Sequence, residues 1–450
     1  MKNAIYILAP AALMFITSAC ALYSKYDRPE VEYDTSALEK SDTLGQPLAA
    51  MSWTELFADP CLVAWIEKGL ENNTDLRVAQ LNVDKAAATY NASRLAYLPS
   101  LGVNADVSAG NKTDSRFQIG PSASWEIDIF GKQRNLKKSA EASFYASEAY
   151  RQAVKTSLIA SIAEGYYNLL MLDNQLDISE RTLKIWEYNI RAMKALKRAG
   201  RSNEAGQLQA TANKLKVESS ARALREQIAV QENAVRSLLL DPDMDMTRSK
   251  LSLQTFPDSL ASSVSVDLLS NRPDVLAAEY ELQKAFYDVN VSRSAFYPSL
   301  KLSGNAGWST SWGSGIANPS SWITNAIASL AAPVFDRGTN NANLKISKAQ
   351  YEIASLKFQQ ALLDAGMEVN DALTAWQSAR DRLKIDAEQI TVLEKAVRTT
   401  QLLMRNSPTN YLEVLTAQQR LLEAQLTESA DRYSEIQAVI RLYHALGGGR

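Results

Sequence analysis

The sequence predicts a mixed α and β fold: an internally duplicated chain of long antiparallel coiled-coil helices, interrupted in each half by a β-hairpin. Three observations predict it. Two similar segments, 93–101 and 292–300, lie 199 positions apart, which indicates an internal duplication. Apolar residues then recur at every seventh position in both halves, as in helices that wind around partners. Between each repeated segment and these helices, apolar and polar residues alternate as they do in strands.

The elements of the first half follow from these patterns in order. A helix is expected over about 60–98, where Pro99 would end it. Alternating apolar residues over about 101–127, on both sides of a polar tract, predict a β-hairpin. The seven-residue step that follows predicts a helix over about 132–199, roughly 100 Å long at a rise of 1.5 Å per residue. A shorter helix is expected to return from it after a turn.

The second half repeats this order. Strands are expected over about 300–332. In the helix that follows, apolar residues occupy every seventh position from Leu362 to Met404. Asp128 and Asp336, which come after the strands, are expected to cap the helices that follow them. Narrow apolar seams would let the helices pack on two sides and close into an α-barrel. A filamentous coiled coil is the alternative, but a filament has no use for two embedded hairpins.

The strands carry features of membrane-spanning segments. Strands of about ten residues are long enough to cross an outer membrane at a tilt, and tryptophans near strand ends are typical of membrane interfaces. These tryptophans are Trp125, Trp308, Trp312 and Trp322. Because the alternation is weak, strands of a soluble sheet are the alternative.

The composition argues against catalysis and nucleic-acid binding. The 450 residues carry a net charge of −2, with 48 basic and 50 acidic residues, so no basic surface points to nucleic acid. One histidine, His444, and two cysteines leave almost no side chains for a metal site or a nucleophile. We therefore expect no enzyme, no cofactor and no metal centre. Cys61 is expected to pack as a small apolar residue.

The N-terminus is similar to the leader of a bacterial lipoprotein. A positive start and an apolar core over 4–16 precede Thr17-Ser18-Ala19-Cys20. This pattern predicts a signal peptide over 1–19 and acylation of Cys20, with more than one acyl chain needed for stable anchoring. Thr17 stands where leucine is usual, so an ordinary signal peptide with an incidental cysteine is the alternative. Residues 20–60 are expected to form an irregular, lipid-anchored segment that lies over the body.

Seven motifs follow one another along the chain in a characteristic order. They are Trp53-x3-Phe57-x-Asp59-Pro60-x-Leu62, Asn72-Asn73-x-Asp75-Leu76-Arg77, Trp125 to Lys132, Asn271-Arg272-Pro273-Asp274-Val275, Pro333 to Gly338, Tyr411-Leu412-Glu413-Val414-Leu415-x-Ala417-Gln418 and Ala445 to Gly449. With them the chain resembles the TolC-like outer membrane factors, the outer-membrane channel lipoproteins of tripartite efflux pumps. The resemblance covers essentially the whole chain. It implies two repeats, 61–245 and 271–450, joined by an equatorial linker over 246–270.

The resemblance also implies a homotrimer. Four strands cannot close a barrel, and open strand edges are not tolerated in lipid. Three copies would supply about 12 strands for a transmembrane β-barrel and would close the helices into a periplasmic tunnel. A periplasmic adaptor protein and an inner-membrane RND transporter would dock at its tip, and the channel would passively conduct drugs or metal ions. Alternatives are a channel for type I protein secretion and a periplasmic coiled-coil scaffold lipoprotein.

The turns between the long helices hold the candidate site residues. By resemblance, Glu413 matches an acid that narrows the closed pore, Thr416 stands where a second acid is usual, and Tyr411 belongs to the same gate. Three Glu413 side chains around an axis would repel one another and favour cations; a solvated helix residue is the alternative. Candidate adaptor contacts, or simply exposed polar turns, are Gly200, Arg201, Ser202, Asn203, Ser407, Thr409 and Asn410. For Arg201, Ser202 and Asn203, locking of neighbouring helices is a further alternative.

Overall fold

The computed structural model describes residues 23–29, 52–108, 116–198, 200, 204–254, 256, 271–311, 322–406 and 411–448. Several residues singled out above lie outside these ranges. They are Cys20, Trp312, Arg201, Ser202, Asn203, Ser407, Thr409 and Asn410.

The described residues form eight α-helices and four strands, with one 3₁₀ turn at Leu251–Leu253. In chain order these are α1 (Trp53–Leu56), α2 (Pro60–Asn72), α3 (Thr74–Leu95), β1 (Ser100–Ser108), β2 (Arg116–Ile127), α4 (Lys132–Arg198), α5 (Glu204–Leu239), α6 (Pro273–Ser294), β3 (Ser299–Ser311), β4 (Trp322–Ala331), α7 (Thr339–Asn406) and α8 (Tyr411–Ala445). The hairpins and the long helix predicted over 132–199 are confirmed.

Corresponding helices of the two halves have nearly equal lengths. The long helices α4 and α7 have 67 and 68 residues. The helices that return from them, α5 and α8, have 36 and 35 residues. The helices before the hairpins, α3 and α6, have 22 residues each.

The single helix predicted over 60–98 is wrong, because the chain breaks at Asn73 into α2 and α3. The side-chain oxygen of Asn73 accepts hydrogen bonds from the backbone N–H groups of Asp75, at 2.9 Å, and Leu76, at 3.1 Å. Its amide donates to the carbonyl of Leu238 at 3.0 Å. Asparagine competes with the helix for backbone groups in this way, so it ends α2 and starts α3.

The four strands form one antiparallel sheet in the order β1-β2-β3-β4. The two hairpins are therefore joined through β2 and β3, which pair from Arg116 with Ser311 to Ile127 with Leu300. The order leaves β1 and β4 at the two edges of the sheet within this chain.

The register sorts the side chains of the sheet into an apolar and a polar face, because residues directly opposite each other in antiparallel strands point to the same side. One face carries Leu101, Val103, Ala105, Val107, Ile119, Ala123, Trp125, Leu300, Leu302, Trp308, Ala326, Ala328 and Leu330. The other carries mainly polar residues, Asn104, Asp106, Gln118, Ser122, Ser124, Glu126, Lys301, Ser303, Asn305, Asn325 and Ser329. The register also places Ile327 on this polar face and Thr324 on the apolar one. The apolar face is open: Leu101 is 82% exposed and Val103 is 74% exposed.

Two glycines let β2 and β3 approach closely. A Cβ at Gly120 would lie 2.0 Å from the carbonyl oxygen of Ala306, and a Cβ at Gly307 would lie 2.4 Å from that of Ile119. Glycine is required where two backbones approach in this way.

The chain divides into two compact units. The first takes in residues 1–32, 80–150 and 276–361, which include the sheet, and the second takes in residues 33–79, 151–275 and 362–450. One apolar core of the second unit contains Trp186, Met193, Ala210, Val217, Leu415 and Leu422.

None of the described helices combines the length and the apolar character needed to cross a bilayer.

Residues 23–29, which belong to the first unit, have no regular secondary structure, as the sequence predicts for this part of segment 20–60. The prediction is wrong for residues 53–56, because the Ser52 side chain caps the short helix α1 there. The hydroxyl of Tyr23 donates to the carbonyl of Phe130 at 2.9 Å. The ring of Tyr26 packs edge-on against Phe286, with centroids 5.7 Å apart. Arg28 forms an ion pair with Glu279 at 3.3 Å.

Candidate functional site

The first two turns of α8 carry the candidate gate residues, and two of them are exposed to solvent. Tyr411 begins α8, and Glu413 and Thr416 are exposed. Their spacing of three puts the latter two on one side of the helix. The Thr416 hydroxyl donates to the carbonyl of Leu412 at 2.9 Å, within its own helix. Arg420, also exposed, follows Thr416 by four residues and adds a positive charge to this face of α8. The four-residue spacing in the sequence could have identified it as a neighbour of Thr416.

The opposite face of the same turns is packed against α4 and α5. Val414 and Leu415 are buried, and Leu415 lies in the core that contains Trp186. The buried amide of Gln418 accepts a hydrogen bond from the side-chain amide of Asn189 at 2.6 Å. The helix that carries the candidate gate is therefore held to α4 by apolar contacts and a buried polar pair.

A second polar pair lies further along the same contact. Asn174 of α4 donates to the hydroxyl of Ser429 at 3.0 Å, and Ser429 is fully buried. Polar pairs inside an apolar seam fix the register of two helices, because a shifted register would leave buried polar groups unpaired. Sequence reasoning missed both pairs. Part of the signal was present: Leu415, Gln418 and Leu422 have the three- and four-residue spacing of a packed seam, which marks Gln418 as a seam position but does not identify its partner.

The turn between α4 and α5 is bracketed by an ion pair. Lys197 near the end of α4 lies 3.1 Å from Glu204, the first residue of α5. Gly200 has φ of +68°, and a Cβ there would meet nothing within 4 Å. The glycine is needed for the left-handed backbone, and the space around it is open.

The motif around residue 272 is structural. Arg272 is buried and donates to Asp274, Glu368 and the carbonyl of Ala445, at 2.7, 2.7 and 2.9 Å. One guanidinium thus ties the start of α6 to α7 and to the end of α8. A buried arginine needs such partners because its charge cannot be shed.

The motif around residue 59 builds a second hydrogen-bonded cluster. Asp59 accepts from Tyr166 at 2.7 Å, from Gln254 at 2.9 Å and from the N–H of Cys61 at 3.0 Å, and it also contacts Ser249. Burial by itself would raise the pKa of Asp59, but these hydrogen bonds outweigh it and lower the pKa below its ordinary value. Cys61 beside it is half-buried.

The described residues offer no arrangement typical of metal chemistry. Within them, no group of three or more His, Cys, Asp or Glu side chains is placed to hold a metal ion. His444 lines a cleft of about 380 Å³ together with Glu164 and Glu368. Glu164 forms an ion pair with Arg441, and Glu368 forms one with Arg272. The charged residues of the cleft are therefore explained by ion pairs between helices.

Comparison with known proteins identifies the family. The sequence model described as "Outer membrane efflux protein" matches residues 65–239 and 264–448. The chain belongs to the outer membrane efflux protein family. The resemblance to TolC-like outer membrane factors is thereby confirmed, and the chain is an outer-membrane protein of a family of transport channels, not of enzymes.

Relatives in this family match over nearly their full length. The chain is 29% identical to the cation efflux system protein CusC of Escherichia coli O157:H7, over 98% of both chains. It is 27% identical to the probable outer membrane lipoprotein SilC of Salmonella typhimurium, again over 98% of both. The solved structure of the open state of the Neisseria gonorrhoeae MtrE outer membrane channel is 27% identical, with a TM-score of 0.87 over 96% of this chain and 98% of that one. The mostly helical fold with a small antiparallel sheet is thus the fold of these efflux channels.

Proposed function

We propose that this protein is the outer-membrane channel of a tripartite efflux pump, works as a homotrimer, and conducts small molecules or metal ions passively from the periplasm to the exterior. The observation that carries the proposal is the sheet, whose register puts mainly apolar side chains on one face and mainly polar side chains on the other. Membrane barrels have this arrangement, with the apolar face towards lipid and the polar face towards a water-filled lumen.

The edges of the sheet support the trimer. Unpaired edge strands cannot face lipid, because their backbone groups would lack hydrogen-bond partners. Within this chain the edges are β1 and β4, so sister chains would complete the pairing, with about 12 strands in a closed barrel. The same threefold assembly would close the long helices into an α-barrel.

Three further features complete the proposal. Cys20 is the acylated anchor, three positions before Tyr23, which contacts the start of α4 through Phe130; the lipoprotein name of SilC supports this anchor. The two matches of the family model support repeats at 61–245 and 271–450, with a linker over 246–270. The nearly equal helix lengths of the two halves are those an internal duplication would produce.

The partners would be a periplasmic adaptor and an inner-membrane RND transporter. They would dock at the helix turns, where Gly200 lies in open space. The name of CusC supports metal cations as one class of substrate. A wide aqueous tunnel discriminates little, so the transporter would set specificity.

The membrane-facing role is tested by two neighbouring substitutions. Val103→Arg puts a charge on the apolar face and Asn104→Arg puts the same charge on the polar face, one residue away. We expect Val103→Arg to destabilise the membrane-inserted protein by about 2–4 kcal/mol and to remove the heat-modifiable trimer from outer-membrane fractions. Asn104→Arg should leave insertion intact and change ion selectivity in planar bilayers. Equal tolerance of both variants would overturn the barrel.

The gate is tested by Glu413→Ala. In the trimer, three Glu413 carboxylates would form a negatively charged constriction, with Thr416 and Tyr411 around it. Removing them should raise the conductance of the closed state in planar bilayers and lower its preference for cations. Glu423→Ala, which removes an exposed acid of the same helix beyond its first turns, is the control. If the two variants conduct alike, Glu413 is an ordinary solvated side chain.

A further inference from the structure

Asp386 of α7 is a buried acid at the contact with α8. Its side chain is 7% exposed, and its Oδ2 atom is enclosed and accepts no hydrogen bond from any residue that the structure describes. The carboxyl of Asp431 on α8 acts on it through its charge and as a hydrogen-bond partner, and Arg382, one turn before Asp386, donates to Asp431. An ionised carboxylate can only accept hydrogen bonds. Two ionised groups here would repel each other and leave a buried oxygen unsatisfied.

The charges around this carboxyl pair, Asp386 and Asp431, do not neutralise it. Arg382, one turn before Asp386 on α7, donates its Nε to Oδ1 of Asp431 at 2.9 Å. From α8, Glu428 adds a third carboxyl, and Arg432 acts on Glu428. One direct arginine contact for two carboxyls leaves a deficit of one positive charge.

We propose that the carboxyl pair holds one proton and forms a proton-binding site between α7 and α8. A proton on Asp386 turns one of its oxygens into a donor to Asp431. The pair then carries a single negative charge, which Arg382 matches. A metal ion is the less favoured occupant, because no group of three ligating side chains is present in the described part of the chain.

The electrostatics of the site agree with its geometry. Burial raises the pKa of Asp386 above its ordinary value, and the charge of Asp431 and its hydrogen bond raise it further, while Arg382 lowers it. Burial likewise raises the pKa of Glu428. In the unfolded chain Asp386 would ionise at its ordinary pKa. The folded protein therefore binds the proton more tightly, and this group's contribution to stability is lost as pH rises from the ordinary value through the raised one.

The test is the pH dependence of the Asp386→Asn variant. Asparagine is neutral at every pH and can donate to Asp431 as the protonated acid does. We expect the apparent unfolding midpoint of the full-length, detergent-solubilised protein to match the wild type near about pH 4. At about pH 8 the midpoint should exceed that of the wild type by about 1–3 °C. Infrared spectroscopy of the wild type near neutral pH should show a protonated carboxyl band that the variant lacks.

Asp381→Asn is the matched control. Asp381 is an exposed acid of the same helix, paired with Lys384 at 3.0 Å. Asp381→Asn should change the apparent unfolding midpoint, but the midpoint relative to wild type should not rise between about pH 4 and about pH 8. A constant difference between Asp386→Asn and wild type at all pH values, together with an unchanged infrared band, would overturn the proposal. A difference that depends on added Mg²⁺, Ca²⁺ or chelator instead of pH would also overturn it, in favour of a cation site.

If Asp386→Asn does not fold, Asp431→Asn and the infrared spectrum of the wild type carry the test. Neither readout needs an open channel, so failure here is distinguishable from failure of the proposed function. One consequence does rest on that function: α8 also carries Glu413, 18 residues before Asp431, so loss of the proton would loosen the packing of the helix that holds the gate residue. Closed-state conductance of the wild type should then rise with pH, and that of Asp386→Asn should change less.

Discussion

The two strand-to-helix junctions use the same local chemistry in different surroundings. The first junction, Trp125–Lys132, joins β2 to α4, and the second, Pro333–Asn340, joins β4 to α7. In the first, Asp128 accepts two hydrogen bonds, from the backbone N–H groups of Gln133 and Arg134, at 2.9 Å each. In the second, Asp336 accepts two at 3.0 and 2.6 Å. The predicted capping roles are thereby confirmed at both junctions.

The apolar residues beside these caps differ sharply in burial. Phe130 of the first junction stacks on Tyr297, with centroids 5.2 Å apart, and its carbonyl accepts the Tyr23 hydroxyl. In the second junction Phe335 is 86% exposed and Val334 is 97% exposed. The repeated sequence therefore fixes the turn and the helix cap at both junctions. Whether the neighbouring phenylalanine is buried depends on residues from other parts of the chain. In the proposed trimer, a sister chain would cover the second junction.

Substituting the two phenylalanines separates protomer stability from assembly. Phe130→Ser removes a half-buried ring from its stack, and we expect a loss of about 2 kcal/mol in protomer stability, below the 3–5 kcal/mol of a fully buried ring. Phe335→Ser should leave the unfolding midpoint nearly unchanged, because the ring has few contacts within its own chain. It should instead lower the fraction of trimer that survives in SDS before heating.

Circular dichroism measures the helix-unfolding midpoint of each variant, and gels of unheated samples from the same preparations measure its trimer fraction. Phe130→Ser is expected to lower both the helix-unfolding midpoint and the trimer fraction, and Phe335→Ser only the trimer fraction. An unchanged trimer fraction for Phe335→Ser would mean that the second junction stays open in the assembly.

The sequence predicted the elements well where local patterns decide them. Alternation placed Leu101, Val103 and Ala105 on one face of β1, and the observed register puts Ile119 of β2 beside them. The break at Asn73 was missed because one side chain there overrides a helical stretch by binding two backbone N–H groups and a carbonyl of α5. The pairing of β2 with β3 joins strands about 180 residues apart, which no local pattern specifies.

The candidate site was predictable only in part, for a related reason. The sequence identified Glu413 as an acid in the first turn of α8. It could not reveal that Gln418 meets Asn189, or that Asp386 meets Asp431, because each contact depends on which faces of two helices meet. The effect of three Glu413 side chains on one axis belongs to the assembly and stays a prediction.

The glycines of the two junctions offer the smallest and sharpest test. Gly131 and Gly338 have φ of +73° and +85°, a conformation that costs an alanine about 1–2 kcal/mol. A Cβ at Gly338 meets nothing within 4 Å, whereas one at Gly131 lies 3.0 Å from the Arg134 guanidinium and 3.2 Å from the Tyr23 ring. Gly131→Ala should therefore lower the unfolding midpoint more than Gly338→Ala.

Asparagine at the same two positions isolates the contact from the backbone conformation. Because asparagine tolerates positive φ better than alanine, Gly338→Asn should recover most of the stability that Gly338→Ala loses. Gly131→Asn should recover less, since any side chain at that position displaces Tyr23 and weakens its hydrogen bond to Phe130. Limited proteolysis of residues 23–29 measures that displacement: cleavage should rise for both Gly131 variants and stay unchanged for both Gly338 variants. Equal cleavage of all four would mean that the first junction does not hold the N-terminal segment, and that its burial differs from the second for another reason.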